Sequence, residues 1–190
     1  RALRAEIERR IDEAAVKGKI PHDLRIRFTL ELVDTAVERG DLEHGVMLAG
    51  RARKIFDSVQ SGTPFPPEFE VGLLGEIALR NAMVGQDPKA GATIDESLGR
   101  FEAERRRIAD VFQAKSLRPV LEAAIAAGDA ERIERLLELT IAAGATNPNA
   151  RPRAEDLVAT MVLLAQVDHE PAEDVFARIQ EIRGGLVAPW

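Results

Sequence analysis

Along most of the chain, apolar residues recur every three to four positions, as expected of helices with one buried face. Leu3, Ile7, Ile11 and Ala14 share a face in the first segment, and the chain breaks between Gly18 and Pro21. A second apolar run extends from Leu24 to Val37. Within it "RIRFTLEL" alternates at Ile26, Phe28, Leu30 and Leu32, a strand pattern when taken alone. Leu24, Phe28, Leu32 and Ala36, however, form an i, i+4 row. No second strand signal exists to pair with it, and a lone strand is not stable. The run is predicted helical.

A third helix is predicted from Asp41 to Gln60, closed by "SGTPFPP". A fourth runs from Pro67, a residue suited to a first helical position, to Met83. "GQDPKAG" reads as the next joint. Thr93 and Glu96 have the spacing of a capping box, opening a fifth helix that turns Ile94, Leu98, Phe101, Ile108 and Phe112 inward. Pro119 opens a sixth helix to Ala127, Asp129 opens a seventh to Ala143, and "GATNPNARP" is a loop. Leu157, Met161 and Leu164 mark the eighth. The ninth starts at Pro171, buries Val175, Ile179 and Ile182, and stops at Gly184-Gly185.

The string "AVERGDLE" at 36–43 returns as "AIAAGDAE" at 124–131. Gly inside a helix costs about 1 kcal/mol relative to Ala. As a C-terminal cap it adopts the left-handed conformation freely, and the Asp after it can cap the next helix. Gly-Asp therefore predicts a sharp joint between paired helices. Related joints read "QDPKA" at 86–90 and "QVDHEPA" at 166–172, and the spacing between successive joints is that of helical repeats.

Gly40, Ala52, Phe56 and Pro64 have the offsets of the small and aromatic positions of a tetratricopeptide repeat, and the hairpin at 33–66 resembles one. Gly85 with Phe101 and Gly128 with Pro152 repeat parts of that pattern, while Ala36 and Arg39 stand where such a repeat usually has an aromatic residue and Leu. "LEAAIAAGDAERIERLLE" followed by "GATNPNA" is similar to the helix pair and loop of an ankyrin repeat, without its Thr-Pro-Leu-His opening. Both resemblances imply a binding scaffold. The expected fold is all-α: stacked antiparallel helical hairpins in a tetratricopeptide-like superhelical array of about nine helices. It forms a single helical-repeat domain over 1–190, with an N-terminal helix in 1–20, four-helix units in 21–115 and 116–185, and a tail at 186–190.

Composition narrows the function. At 45% hydrophobic and 31% charged residues the chain is globular, not disordered, and its 190 residues can bury a core without staples. A net charge of -6 argues against a nucleic-acid partner, which needs a basic footprint. No apolar stretch is long enough to cross a bilayer, so no membrane partner is expected. With no Cys, thiolate chemistry and Cys-metal sites are excluded. The absence of a targeting segment gives a cytoplasmic protein as the expectation, with an upstream signal or domain left open by a chain that starts at Arg1.

Candidate chemistry is sparse. The histidines, His22, His44 and His169, form no H-E-x-x-H motif, and His169 with Glu173 supplies only two ligands. Glu68 with Glu70, and Glu155 with Asp156, fall in predicted first turns, where negative charge complements the helix dipole. In "RFEAERRRIAD" Arg100, Arg105, Arg106 and Arg107 are interleaved with Glu102 and Glu104, as on a solvated face. No phosphate loop, nucleophile elbow or dinucleotide fingerprint occurs. The tail ending in Trp190 is expected to dock on the last hairpin. No enzyme activity, metal or cofactor is expected.

In tetratricopeptide-like arrays the first helices of successive hairpins line a concave groove that holds partner peptides or helices. The resemblance places that groove on His22–Arg39, Pro67–Met83, Leu117–Ala127 and Arg153–Gln166. Its candidate lining is Arg27, Glu31, Asp34, Glu70, Glu76 and Arg80, a mixed-sign set unlike a basic carboxylate clamp. The expected function is a protein–protein interaction scaffold or adaptor. Two alternatives are a helical-bundle sensor or enzyme with a converging polar pocket, and an oligomerisation module with a large apolar outer face.

Overall fold

The computed structural model describes residues 2–16, 18, 20–166 and 170–185, with the side chains of residues 2–5, 8, 15 and 16 left aside. His169 and the tail at 186–190 lie outside the described residues. Helices make up 84% of the described residues, and no strand occurs among them. In order they are α1 (Ala2–Val16), α2 (His22–Glu38), α3 (Leu42–Gln60), α4 (Pro67–Met83), α5 (Asp87–Glu104), α6 (Asp110–Ala126), α7 (Ala130–Ala145), α8 (Ala150–Ala165) and α9 (Glu173–Gly185), with a 3-10 turn (Arg105–Arg107) before α6.

The Gly-Asp joints are helix ends. Gly40 has φ +69° and Gly128 φ +65°. Gly40 N–H donates to the Val37 carbonyl and Asp41 N–H to that of Ala36, both at 2.9 Å; Gly128 and Asp129 repeat this on Ile125 and Ala124 at 3.0 and 3.1 Å. This pair of bonds is the Schellman motif, which uses up otherwise orphaned carbonyls. Each Asp then caps the next helix: Asp41 accepts from His44 N–H at 3.4 Å and Asp129 from Arg132 N–H at 3.1 Å. That amide bond holds the Asp129 carboxyl below its usual range. Asp129→Ala is expected to cost about 0.5–2 kcal/mol. Asp41→Ala should cost less, because its cap bond is longer. Denaturant unfolding reads both, and a larger loss at Asp41 would place the effect outside the caps.

Several sequence expectations are corrected. Gly85, at φ +72°, makes the same Schellman pair with Ala82 and Asn81, so the joint is only Gly85-Gln86 and α5 starts at Asp87. Thr93 lies inside α5, where its hydroxyl donates to the Lys89 carbonyl at 2.8 Å, and it caps nothing. Pro119 sits inside α6, which begins at Asp110, so the boundary at 115/116 falls within a helix. On α2 the buried face is Ile26, Leu30, Val33 and Ala36, while Leu24 and Phe28 are exposed. Phe112 is exposed as well. On α9, Val175 and Ile179 are buried as the periodicity predicts.

The helices pair as α2 on α3, α4 on α5 and α6 on α7, and each even-numbered helix from α2 to α8 also meets the next even-numbered one. Ion pairs tie elements two places apart. Asp34 on α2 takes a two-pronged grip from Arg80 on α4, at 3.0 and 2.7 Å. Arg118 on α6 approaches Asp156 on α8 at 3.5 Å. Among the odd-numbered helices, Arg53 on α3 reaches Glu96 on α5 at 2.7 Å, and Arg132 on α7 holds Asp95 on α5 at 2.9 and 2.8 Å.

Helix α4 is buried on two sides. Leu73, Leu74 and Ile77 join Ile26, Leu30 and Phe56 in one apolar cluster, while Val71 and Ala78 join a larger one built mainly from α5, α6 and α7. Glycine permits its closest approach. A Cβ at Gly75 would lie 2.6 Å from the Val120 backbone nitrogen and 2.7 Å from the Pro119 carbonyl carbon, so α4 and α6 touch backbone to backbone there.

Candidate functional site

Where α2, α4 and α6 run side by side, their outer surface opens into a cleft of about 180 Å³. Phe69 on α4 and Phe112 on α6 line it and remain 42% and 44% exposed, although aromatic rings are costly to leave in water. Gly72 lies between them on α4. A Cβ there would meet nothing closer than the Ser116 carbonyl at 4.0 Å, so Ala would fit and would favour the helix. The glycine keeps the space open.

Charged groups border this apolar core. Arg27 on α2 pairs with Glu76 on α4 at 3.2 Å, and both line the cleft. Arg27 Nε is buried without a hydrogen-bond partner. Because Pro119 has no N–H, the Lys115 carbonyl loses the donor that a helix normally supplies four residues on. Lys115 and Pro119 both line the cleft, so an acceptor is left on that edge of α6. One turn beyond lies Glu122, with neither a hydrogen bond nor an ion pair among the described residues.

Burial raises the Glu122 carboxyl above its usual range, with Arg80 and Arg118 opposing the rise. The native state thus holds that proton more tightly than the unfolded chain does. The associated stability is full in acid and is lost as pH rises through the folded pKa. Glu122→Gln is expected to be more stable than the parent at pH 7, with the difference gone by about pH 4. Thermal melts at both pH values check this, and an equal difference at both would rule out desolvation as its cause.

No protein-family model, curated protein or solved structure matches this chain.

The predicted lining residues divide. Arg27 and Glu76 line the cleft, and Asp34 and Arg80 form the ion pair beside it. Glu31 is exposed one turn beyond Arg27 on α2. Glu70 is buried, and its carboxylate pairs with Arg100 on α5, away from the α2 side. Sequence reasoning missed Phe69 and Phe112. A signal existed in Phe69-x-x-Gly72-x-x-Gly75, which places a ring and two glycines at helical spacing, and in a proline at the tenth residue of α6.

A second polar cluster is internal. Asp156 on α8 is buried; Asn147 Nδ2 donates to it at 3.4 Å, and the Arg118 guanidinium pairs with it at 3.5 Å. Burial raises its carboxyl, with Arg118 opposing. It therefore lies in the second turn of α8 and makes an interhelical contact, not a helix-start contact. The adjoining cavity is about 10 Å³, the space of a single water. Among the described residues no group of three metal-ligating side chains occurs, and no helix is long and apolar enough to cross a membrane.

Proposed function

We propose that this chain is a protein-interaction module that holds a segment of another protein across α2, α4 and α6. The observation that carries this reading is the open cleft between Phe69 and Phe112, floored by a glycine where alanine would fit. Its volume is below the roughly 300–1,000 Å³ of small-molecule sites, and suits one inserted side chain. Even-numbered helices sharing one face, with the odd-numbered ones tied across the other, support a tetratricopeptide-like array. On this reading the chain is a scaffold and not an enzyme.

Affinity purification on the parent chain and on a Phe69→Ala, Phe112→Ala variant tests it. A partner held by the parent and lost from the variant, with both baits equally folded, is the expected result. Partners held equally by both would remove the cleft from the reading. A second reading draws on α8, where Val158 and Val162, one turn apart, are 61% and 51% exposed. Burying them in a second copy would make the chain an oligomerisation module. A mass that stays monomeric across a hundredfold range of concentration would discard that alternative.

A further inference from the structure

The chemistry around the cleft describes its occupant. Arg27 is tied to Glu76, Arg80 to Asp34 and Arg118 to Asp156. Among the described residues, the charges on this face without an ion pair include the carboxylates of Glu31 and Glu68, that of Glu122, which lies near Arg80 and Arg118 but is bonded to neither, and the ammonium of Lys115. Glu68 lies at the cleft itself, Glu31 one turn along α2, and Glu122 one turn along α6. Arginines that would attract an acidic peptide are already committed. The surplus is negative.

We infer that the occupant is a basic peptide segment of another protein, with one bulky apolar anchor seated between Phe69 and Phe112 and a Lys or Arg on either side of it. This rests on the reading of the cleft as a protein-docking site. One main-chain group at the cleft fits a peptide: the Lys115 carbonyl, without its helical donor because Pro119 has no N–H, can take a main-chain N–H. Spacing follows from the helix rise. Glu122 lies six residues beyond Ser116, at about 1.5 Å per residue, so roughly 9 Å from the cleft floor. In an extended segment rising about 3.3 Å per residue, that separates anchor and basic residue by about three positions. Glu68, on the other side of Gly72, faces a basic residue nearer the anchor.

The same side chains explain why the site selects and does not merely adhere. Two exposed rings alone would hold any apolar segment. Uncommitted carboxylates reward a cation and repel an acidic segment, so charge adds the discrimination that the anchor lacks.

Selection of a random dodecapeptide display library on the full chain tests the inference, followed by fluorescence anisotropy with the enriched peptides. Enrichment of one aromatic or aliphatic residue with Lys or Arg about three positions away is expected. Glu68→Gln with Glu122→Gln should weaken those peptides at least tenfold. Gly72→Leu, which fills the floor, should abolish their binding, and circular dichroism melts confirm that each variant folds. Acidic or uncharged peptides that bind and are lost in Gly72→Leu would overturn the charge assignment while keeping the cleft. Enriched peptides indifferent to Gly72→Leu, or no enrichment at all, would overturn the docking site itself.

Discussion

Gly75→Ala is expected to cost the fold about 3 kcal/mol, whereas the same substitution at Gly72 should leave it up to about 1 kcal/mol more stable. Both glycines lie inside α4, three residues apart, and a helix-propensity argument treats them alike. Their surroundings do not. The new methyl at Gly75 would stand 2.6 Å from the Val120 nitrogen and 2.7 Å from the Pro119 carbonyl carbon, and backbone atoms cannot swing aside as a side chain would. The two helices have to separate, and the contacts around Val71, Ala78, Leu117 and Val120 loosen with them. At Gly72 the nearest heavy atom is 4.0 Å away, an ordinary contact distance. Thermal melts of the two variants side by side check the contrast. A chain of this size shifts by roughly 2–4 °C per kcal/mol, so the two should melt about 8–16 °C apart. Equal melting temperatures would mean that α4 and α6 do not meet backbone to backbone. If Gly72→Ala also weakens peptide binding, that position trades stability for an open cleft.

Gly128→Val is expected to be nearly as costly, through a different route. Gly128 ends α6 at φ +65°, a conformation that a β-branched residue adopts only under strain of about 1–3 kcal/mol. The strain falls on a joint that also sets Asp129, whose carboxylate caps α7 and pairs with Arg132. Arg132 in turn grips Asp95 on α5. Hydrogen exchange should therefore show protection falling in α6 to α9 while α2 and α3 keep theirs. Loss spread evenly over all helices would indicate a single cooperative bundle. Unchanged protection would mean the joint tolerates a right-handed turn.

What was legible in the sequence follows from how local the signals are. Gly40-Asp41 and Gly128-Asp129 read correctly because left-handed φ and side-chain capping are set by two adjacent residues. The joint at Gly85 is shorter than the sequence suggests, since Pro88 looks like a loop residue. Within the first turn of α5, however, its missing N–H has no helical acceptor to lose. Thr93 and Glu96 carry the spacing of a capping box, but the same spacing in mid-helix lets Thr93 bond backward and frees Glu96 for Arg53 and Arg100. Pro119 misled for a tertiary reason: it interrupts the α6 ladder where that helix lies against Gly75.

The site shows the same division. The resemblance names Arg27, Asp34, Glu76 and Arg80 as lining residues of α2 and α4, and in the structure they pair as Arg27 with Glu76 and Arg80 with Asp34. Glu70 falls on the same stretch of α4 but a different side, and only the position of Arg100 on α5 shows which way it turns. Phe112 belongs by composition to a core. Its exposure follows from the 3-10 turn at Arg105–Arg107, which restarts the helical phase between Phe101, fully packed, and Phe112, left outside.

Helix α4 carries a consequence for anyone dividing the chain. It supplies Leu73, Leu74 and Ile77 to the core beneath α2 and α3, and Val71 and Ala78 to the core of α5, α6 and α7. A cut in the segment at 61–66 strips the first core of its third wall, and the fragment that keeps α4 carries three large side chains with nothing to cover them. A cut at Gly85-Gln86 strips the second core instead. The chain therefore has no seam near its middle, and fragments meant to isolate the cleft must carry α2 through α7 together, since Phe69, Gly72 and Phe112 stay in place only while both cores hold the same helix.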